Sequence, residues 1–242
     1  MSSDIARTPW GALLERSRTD AAAPLVTYRD LTRGDRAELS AASLANAVAK
    51  TAGLLRDELD VVPGDRIGVL LPMHWQWAVW LGAASAVGAV IVPGSIESCT
   101  VAVVGAAGAE HALAHSAGEV VVVSLHPLGL PEGGVAPGAL EHAVAARVHP
   151  DSFSPTVNVA PEAPLLVGDD GRLLTAVDVA AHARRIRDER GAPPGGRLLL
   201  RDDRDSPALA LPLALGGSVV LLRHATADTQ IDQVAREERV DA

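Results

Sequence analysis

Residues 61–77 read VVPGDRIGVLLPMHWQW, and the order of their parts decides the fold. Pro63, Gly64 and Asp65 carry turn chemistry: proline presets φ, glycine admits positive φ, and aspartate hydrogen-bonds nearby amides. The turn feeds RIGVLLP, an apolar run without polar alternation, as expected of a parallel strand buried on both faces. Residues 74–88, HWQWAVWLGAASAVG, then suit a helix, and 89–93, AVIVP, a second strand. Strand, helix and strand in this order predict a right-handed βαβ crossover.

The alternation continues downstream. TVAVVG (100–105) reads as strand, AAGAEHALAHS (106–116) as helix and EVVVVS (119–124) as strand, which widens the sheet to at least four. A Pro- and Gly-rich loop (125–138) precedes a short helix at 139–148, and 149–164 has no periodicity, which marks a surface excursion or a seam between subdomains. The rest repeats the pattern: LLVG strand, helix over 174–190, RLLL strand, helix over 206–217, SVVLL strand, helix over 229–239. Upstream, 24–40 (PLVTYRDLTRGDRAELS) places two β-rich runs around Gly34 and Asp35, an N-terminal β-hairpin. Leu44, Val48, Thr51 and Leu55 then share one face of a helix, and Trp10, Leu13 and Leu14 one face of a short opening helix. The expected class is α/β, with layered, mostly parallel sheets flanked by helices: a three-layer sandwich, with two related sheets as a variant. One domain over 1–242 is expected, with the seam near 149–164.

Composition narrows the partners. Nearly half of the chain is hydrophobic (48%) and aromatic residues make up 2%, which predicts a tightly packed aliphatic core and argues against disorder. A net charge of -9 disfavours nucleic-acid or anionic-membrane partners, which clustered Lys and Arg would attract. The longest apolar stretch, 78–93, falls short of the ~20 residues of a spanning helix, so no membrane span is expected. One cysteine, Cys99, and an N-terminus without an apolar leader fit a reducing cytoplasm.

Three landmarks in order, VVPGDRIGVLLPMHWQW (61–77), AVGAVIVP (86–93) and LALGGSVVLL (213–222), resemble those of the adenylate-forming superfamily: acyl-CoA synthetases, nonribosomal peptide adenylation domains and luciferases. The likeness runs from about Pro24 onward and covers the first part of such an enzyme's large domain, as in a group of short relatives. It implies a phosphate loop before 174–190, where the family carries Gly, Ser and Thr with a lysine. This sequence has LLVGDDGRLLTAVDVA (165–180) there. A phosphate cradle needs free amides, hydroxyls and a cation. Gly168 and Gly171 remain, Asp169 and Asp170 replace the hydroxyls, and Arg172 stands where a cation belongs. One like-charge pair at ~4 Å costs roughly 4 kcal/mol at an effective dielectric near 20. The family's later motifs have no counterpart within these residues, and Lys50, the only lysine, is expected on the helix side facing away from Leu44 and Val48.

Other candidates are weighed against plain structural roles. Asp169 and Asp170 as a Mg²⁺ site compete with a solvated Asp-Gly turn between a strand and a helix. Gly105 and Gly108 follow a strand as in a dinucleotide fingerprint, but the third glycine and the ribose acid are missing. His111 and His115 have chelating spacing without a third ligand. Trp75, Trp77 and Trp80 suit core packing ahead of an acyl pocket or interface. Cys99 lacks a readable base, and Arg184, Arg185 and Arg187 read as a solvated face with local ion pairs.

The expectation is therefore a non-catalytic, adenylate-forming-like binding or assembly module with no cofactor, whose partner is a second copy or another protein. The first alternative is a weak AMP- or ATP-binding enzyme using Mg²⁺ at 168–172; the second is a nicotinamide-binding oxidoreductase.

Overall fold

The structure, a computed structural model, describes residues 8–242; the part of the leader reading that concerns residues 1–7 lies outside them. Helix α1 (Pro9–Thr19) opens with Thr8 accepting from the Gly11 amide at 3.2 Å and with Pro9 in the first turn, where its missing donor costs nothing. Strands β1 (Pro24–Asp30) and β2 (Asp35–Ser40) form the expected antiparallel hairpin, and Gly34 at φ 72° closes it. Ser40 then caps α2 (Ala41–Asp57) through the Ser43 amide.

The 61–77 stretch behaves as read. Strand β3 (Arg66–Leu70), helix α3 (Gln76–Val87) and strand β4 (Val90–Pro93) form a βαβ unit with β3 and β4 parallel. Every residue of α3 is buried, which explains why it is apolar on all sides. Gly82 is where α3 meets α2: a Cβ there would lie 2.7 Å from Val48 Cγ2. β5 (Val101–Gly105), a single 3₁₀ turn, α4 (Ala109–His115) and β6 (Glu119–Val123) repeat the cycle.

The helix expected over 139–148 is shorter. Leu140 and Glu141 instead form β7 (Leu140–Glu141), parallel to β6, before α5 (His142–Ala145) and one 3₁₀ turn. The open edge of β6 supplies backbone partners that a residue-pattern argument does not see. Residues 149–163 hold no helix or strand. Phe153 within them is buried, meets Trp10 edge-on at 6.4 Å and lies 4.5 Å beneath the Arg56 guanidinium. Lys50 faces the same segment as a strut, donating to the His149 carbonyl at 3.1 Å and pairing with Asp151 at 2.8 Å.

The remaining elements are β8 (Pro164–Val167), β9 (Leu173–Thr175), α6 (Ala176–Glu189), β10 (Arg197–Arg201), α7 (Ala210–Gly216), β11 (Ser218–Arg223) and α8 (Asp228–Glu237). Seven strands run β7-β6-β5-β3-β4-β8-β9, and four run β10-β11-β1-β2. Among the described residues only β1–β2 and β8–β9 pair antiparallel.

The three-layer expectation becomes five layers, because the two sheets share one helical filling. Alternate residues report it. Val101, Val103, Val121 and Val123 of the larger sheet and Leu198, Leu200, Val219 and Leu221 of the smaller one belong to one core with α1, α2, α3 and α7. Their neighbours Ala102, Val104, Val120 and Val122 pack outward against α4. Leu199, Val220 and Leu222 pack outward against Val234 of α8. This period of two with both faces apolar is the signature of strands buried on both sides.

Candidate functional site

Residues 168–172 join β8 to β9, so the Asp-Gly turn stands between two antiparallel strands, where a strand-to-helix junction was expected. Leu173 to Thr175 pair back onto β8 before the helix starts, which moves the first turn of α6 away from the loop by one short strand. Thr175 and Asp178 close a capping box there, with reciprocal bonds of 3.1 and 3.0 Å. The Asp178 carboxylate accepts from the Thr175 amide and, at 2.8 Å, from the Thr175 hydroxyl, and these two bonds, the amide's first, hold its carboxyl below its ordinary range.

Inside the turn three of the five amides, those of Gly168, Gly171 and Arg172, are already committed. The Gly168 N–H donates to the Arg172 carbonyl at 2.8 Å, and the Gly171 N–H donates to the Gly168 carbonyl at 2.8 Å. The Arg172 N–H donates to the Asp170 carboxylate at 3.0 Å. Gly171 sits at φ 78°, a left-handed position that only glycine takes at no cost. A phosphate would find these three donors turned to the loop itself, and a carboxylate in the place where an anion would bind.

The turn nevertheless borders a cleft of about 590 Å³. Pro93 at the end of β4, Leu166 and Leu174 give it apolar walls, and Ser206, Ala208 and Leu209 also line it. Its charges are Asp169, Asp170 and Asp178 against Arg172 and Arg185, so the carboxylates outnumber the guanidiniums. His182 and Arg185 were not singled out as cleft residues from sequence. The steps of four from Asp178 to His182 and three from His182 to Arg185, which share one side of α6, were the available signal. Arg185 donates to His182 Nδ1 at 2.7 Å, which fixes that nitrogen as an acceptor.

The other candidates fall elsewhere. His111 and His115 are exposed on α4 with rings stacked at 4.3 Å, His115 Nδ1 bonding the His111 carbonyl. Among the described residues no three His, Cys, Asp or Glu side chains gather as a metal site. Trp75, Trp77 and Trp80 are buried; the first two donate to the Pro127 and Leu71 carbonyls. Burial pushes the Cys99 thiol up, partly offset by Arg66, which disfavours the thiolate. Gly105 precedes and Gly108 ends the 3₁₀ turn before α4, where Gly108 packs on Val104. Arg184 and Arg187 line a cavity separate from the cleft of Arg185, while ion pairs with Asp188 and Glu189 do form on this helix.

A polar cluster that the sequence did not announce lies at the ends of β1 and β11. Asp30, fully buried at its carboxylate, accepts from His224 Nδ1 at 2.9 Å and from the Thr32 and Arg33 amides. Burial would raise its carboxyl, but the His224 and amide bonds outweigh that and keep it low. Tyr28 reaches the same carboxylate at 3.3 Å, and burial pushes its hydroxyl up to about 12. These bonds hold the smaller sheet together at the hairpin.

Among the described residues no helix is long and apolar enough to cross a membrane. The model of a family described as AMP-binding enzyme matches residues 15–187, which include the turn and nearly all of α6. A Mycobacterium tuberculosis protein whose name states no activity is 42% identical over 156 residues, 62% of this chain and 64% of that one. The acetoacetyl-CoA synthetase of Streptomyces lividans superposes with a TM-score of 0.75 at 19% identity, over 96% of this chain and 41% of its own. A Mycobacterium tuberculosis fatty acyl CoA synthetase gives 0.70 at 18%, over 96% and 48%. The chain thus spans less than two thirds of the length of each of these relatives, and the two synthetases show a common fold. With more than half of its residues matched by the family model, and with the loop and its helix inside the match, the chain belongs to the AMP-binding enzyme family.

Proposed function

We propose that this chain is a non-catalytic member of its family that serves as a binding or assembly module. The observation that supports it is the 168–172 turn: the Gly168, Gly171 and Arg172 amides bond within the loop, and Asp169 and Asp170 line the cleft beside it. Charge and donor supply both oppose the family chemistry at this point. The partner we assign is a second copy or another protein, and the setting a reducing cytoplasm, in keeping with the one buried thiol.

Calorimetry with ATP and AMP, with and without Mg²⁺, tests the reading, together with pyrophosphate release in the presence of acetate, acetoacetate or a fatty acid. Silence up to millimolar ligand is expected. Saturable heat lost on Asp169→Ala and Asp170→Ala, or any pyrophosphate release, refutes it. Light scattering coupled to size exclusion tests assembly, for which a salt-insensitive monomer counts against the second-copy partner.

One observation favours a second reading, a weak AMP- or ATP-binding enzyme: the turn borders an open cleft with Arg172 and Arg185 on its rim. In that reading Asp169 and Asp170 would hold a Mg²⁺, whose charge would offset that of the phosphates, and the same calorimetry with Mg²⁺ separates the two.

A further inference from the structure

A second cavity, of about 430 Å³, lies between α1, α6 and α7. Its floor is apolar, with Ala180, Leu198 and Leu213, while Arg16, Arg184 and Arg187 stand in its lining against one carboxylate, Glu15. Two of these guanidiniums are engaged: Arg187 donates twice to Asp188, at 2.9 and 2.7 Å, and Arg16 reaches Asp20 at 3.5 Å through a terminal nitrogen. Arg184 is half-buried and has no ion pair or hydrogen bond among the described residues. Arg16 Nε is buried and has no acceptor either.

Buried N–H groups without acceptors are costly, and apolar walls with a few convergent polar groups at this volume are the build of a small-ligand site. We propose that the cavity binds a small organic monoanion, an apolar body carrying one carboxylate or sulfate, whose oxygens accept from Arg184 and from Arg16 Nε. One negative charge suits Arg184, the one guanidinium of this lining without an ion pair among the described residues. Guanidinium forks suit planar carboxylate and tetrahedral oxyanions alike. The site is separate from the 168–172 turn, so it stands whether or not that turn binds a nucleotide.

The test is an amide-resolved NMR titration of the whole chain with octyl sulfate, octanoate, octanol and octyltrimethylammonium, each below its micellar concentration. At least one anion is expected to saturate and to shift amides of α1, α6 and α7, with the tighter one naming the head group. Arg184→Gln should weaken that anion about tenfold, the loss of a charge-assisted hydrogen bond, and leave octanol unchanged. Ala180→Phe should block all binding by filling the floor. The proposal is overturned if neither anion saturates, if the cation binds as tightly as the anions, if Arg184→Gln leaves anion affinity intact, or if the shifts centre on 168–172. Arg184 is half-buried with no hydrogen bond to lose among the described residues, so Arg184→Gln is expected to keep the fold, which its amide spectrum checks, and the result does not hang on Ala180→Phe.

Discussion

Arg184 and Arg185 are consecutive residues of α6 and line different clefts, the first the cavity toward α1 and α7, the second the cleft at the 168–172 turn. A helix turns about 100° per residue, so neighbours in sequence serve different sides. Ala176, Ala180, Ala183 and Arg187 follow Arg184, while Asp178, Ala181 and His182 follow Arg185. α6 is thus a wall between two spaces rather than one solvated basic face. Its capped first turn fixes where both sets of side chains point.

If charge is what denies the turn to phosphate, removing charge should admit it. Asp169→Ser with Asp170→Thr is expected to tighten tripolyphosphate affinity by about tenfold or more, in proportion to the like-charge repulsion relieved. Calorimetry at low ionic strength checks this. An unchanged, silent titration would mean that the committed amides, and not the acids, close the site.

Gly68 is the one small residue in RIGVL, and the reason is proximity to the segment that follows β4. A Cβ there would lie 2.8 Å from Ile96 Cα and closer still to the Ser95 carbonyl oxygen, both backbone atoms that cannot turn aside. Gly68→Ala should therefore destabilise the chain by about 1–3 kcal/mol, the usual cost of overpacking. Gly82→Ala meets the Val48 side chain instead, which has some freedom to move, and should cost less. Urea denaturation of the two variants side by side decides the order.

How far these features were legible follows from where their causes lie. The βαβ core was readable because Pro63, Gly64 and Asp65 punctuate it locally and the flanking strands are apolar throughout. The N-terminal hairpin was readable from Gly34 and Asp35. Its destination was not: β1 pairs in parallel with β11, from Val26 opposite Val219 to Asp30 opposite Arg223, and no local signal spans that separation. β7 and β9 were missed because two or three residues carry too little periodicity, and a neighbouring strand edge recruits them. The loop residues 168–172 were placed by resemblance alone, and that they join two antiparallel strands was not readable from their own pattern. That His182 and Arg185 share their cleft depended on β9 setting the start of α6, which was invisible as a pattern.

Glu238 ties the last helix to the hairpin. Its carboxylate, on a residue 7% exposed, accepts from Arg29 at 2.7 Å and from Arg36 at 2.9 and 3.0 Å, with Arg197 at 3.5 Å. Burial would raise its pKa, but the Arg36 and Arg29 bonds prevail and hold it down to about 2. Glu238→Ala should cost about 2 kcal/mol, less than a fully buried pair because the Arg36 side chain is 47% exposed. A depressed acid stabilises above its ordinary pKa of 4.5 and loses that contribution as pH falls toward 2. The variant's deficit should therefore shrink across that window in thermal melts, and a deficit constant from pH 6 to pH 2 would contradict the assignment.

His142 governs a different pH range, with the sign set by a neutral buried ring. Thr51 has one hydroxyl proton, and its 2.9 Å bond to the Ala47 carbonyl uses it. The 2.9 Å contact between Thr51 Oγ1 and His142 Nε2 must then be donated by the ring, which is satisfied while neutral. The Trp80 ring lies 5.1 Å away, tilted by 44°, and burial lowers the pKa from 6.5 to about 4. The unfolded chain takes up a proton below about 6.5 that the folded chain refuses until about 4, so stability is full above the first value and declines as pH falls between them. The integrated loss is roughly 3 kcal/mol for one such histidine. His74, held down to about 3 chiefly by burial and next by Arg223, adds a slope of the same sign that runs further into acid. His142→Gln keeps an N–H for Thr51 without a titrating ring, and should remove one proton's worth of slope between pH 6.5 and 4 while leaving the remainder to His74. Urea midpoints measured at half-unit intervals across that range check it; an undiminished slope in the variant would place the titrating group elsewhere.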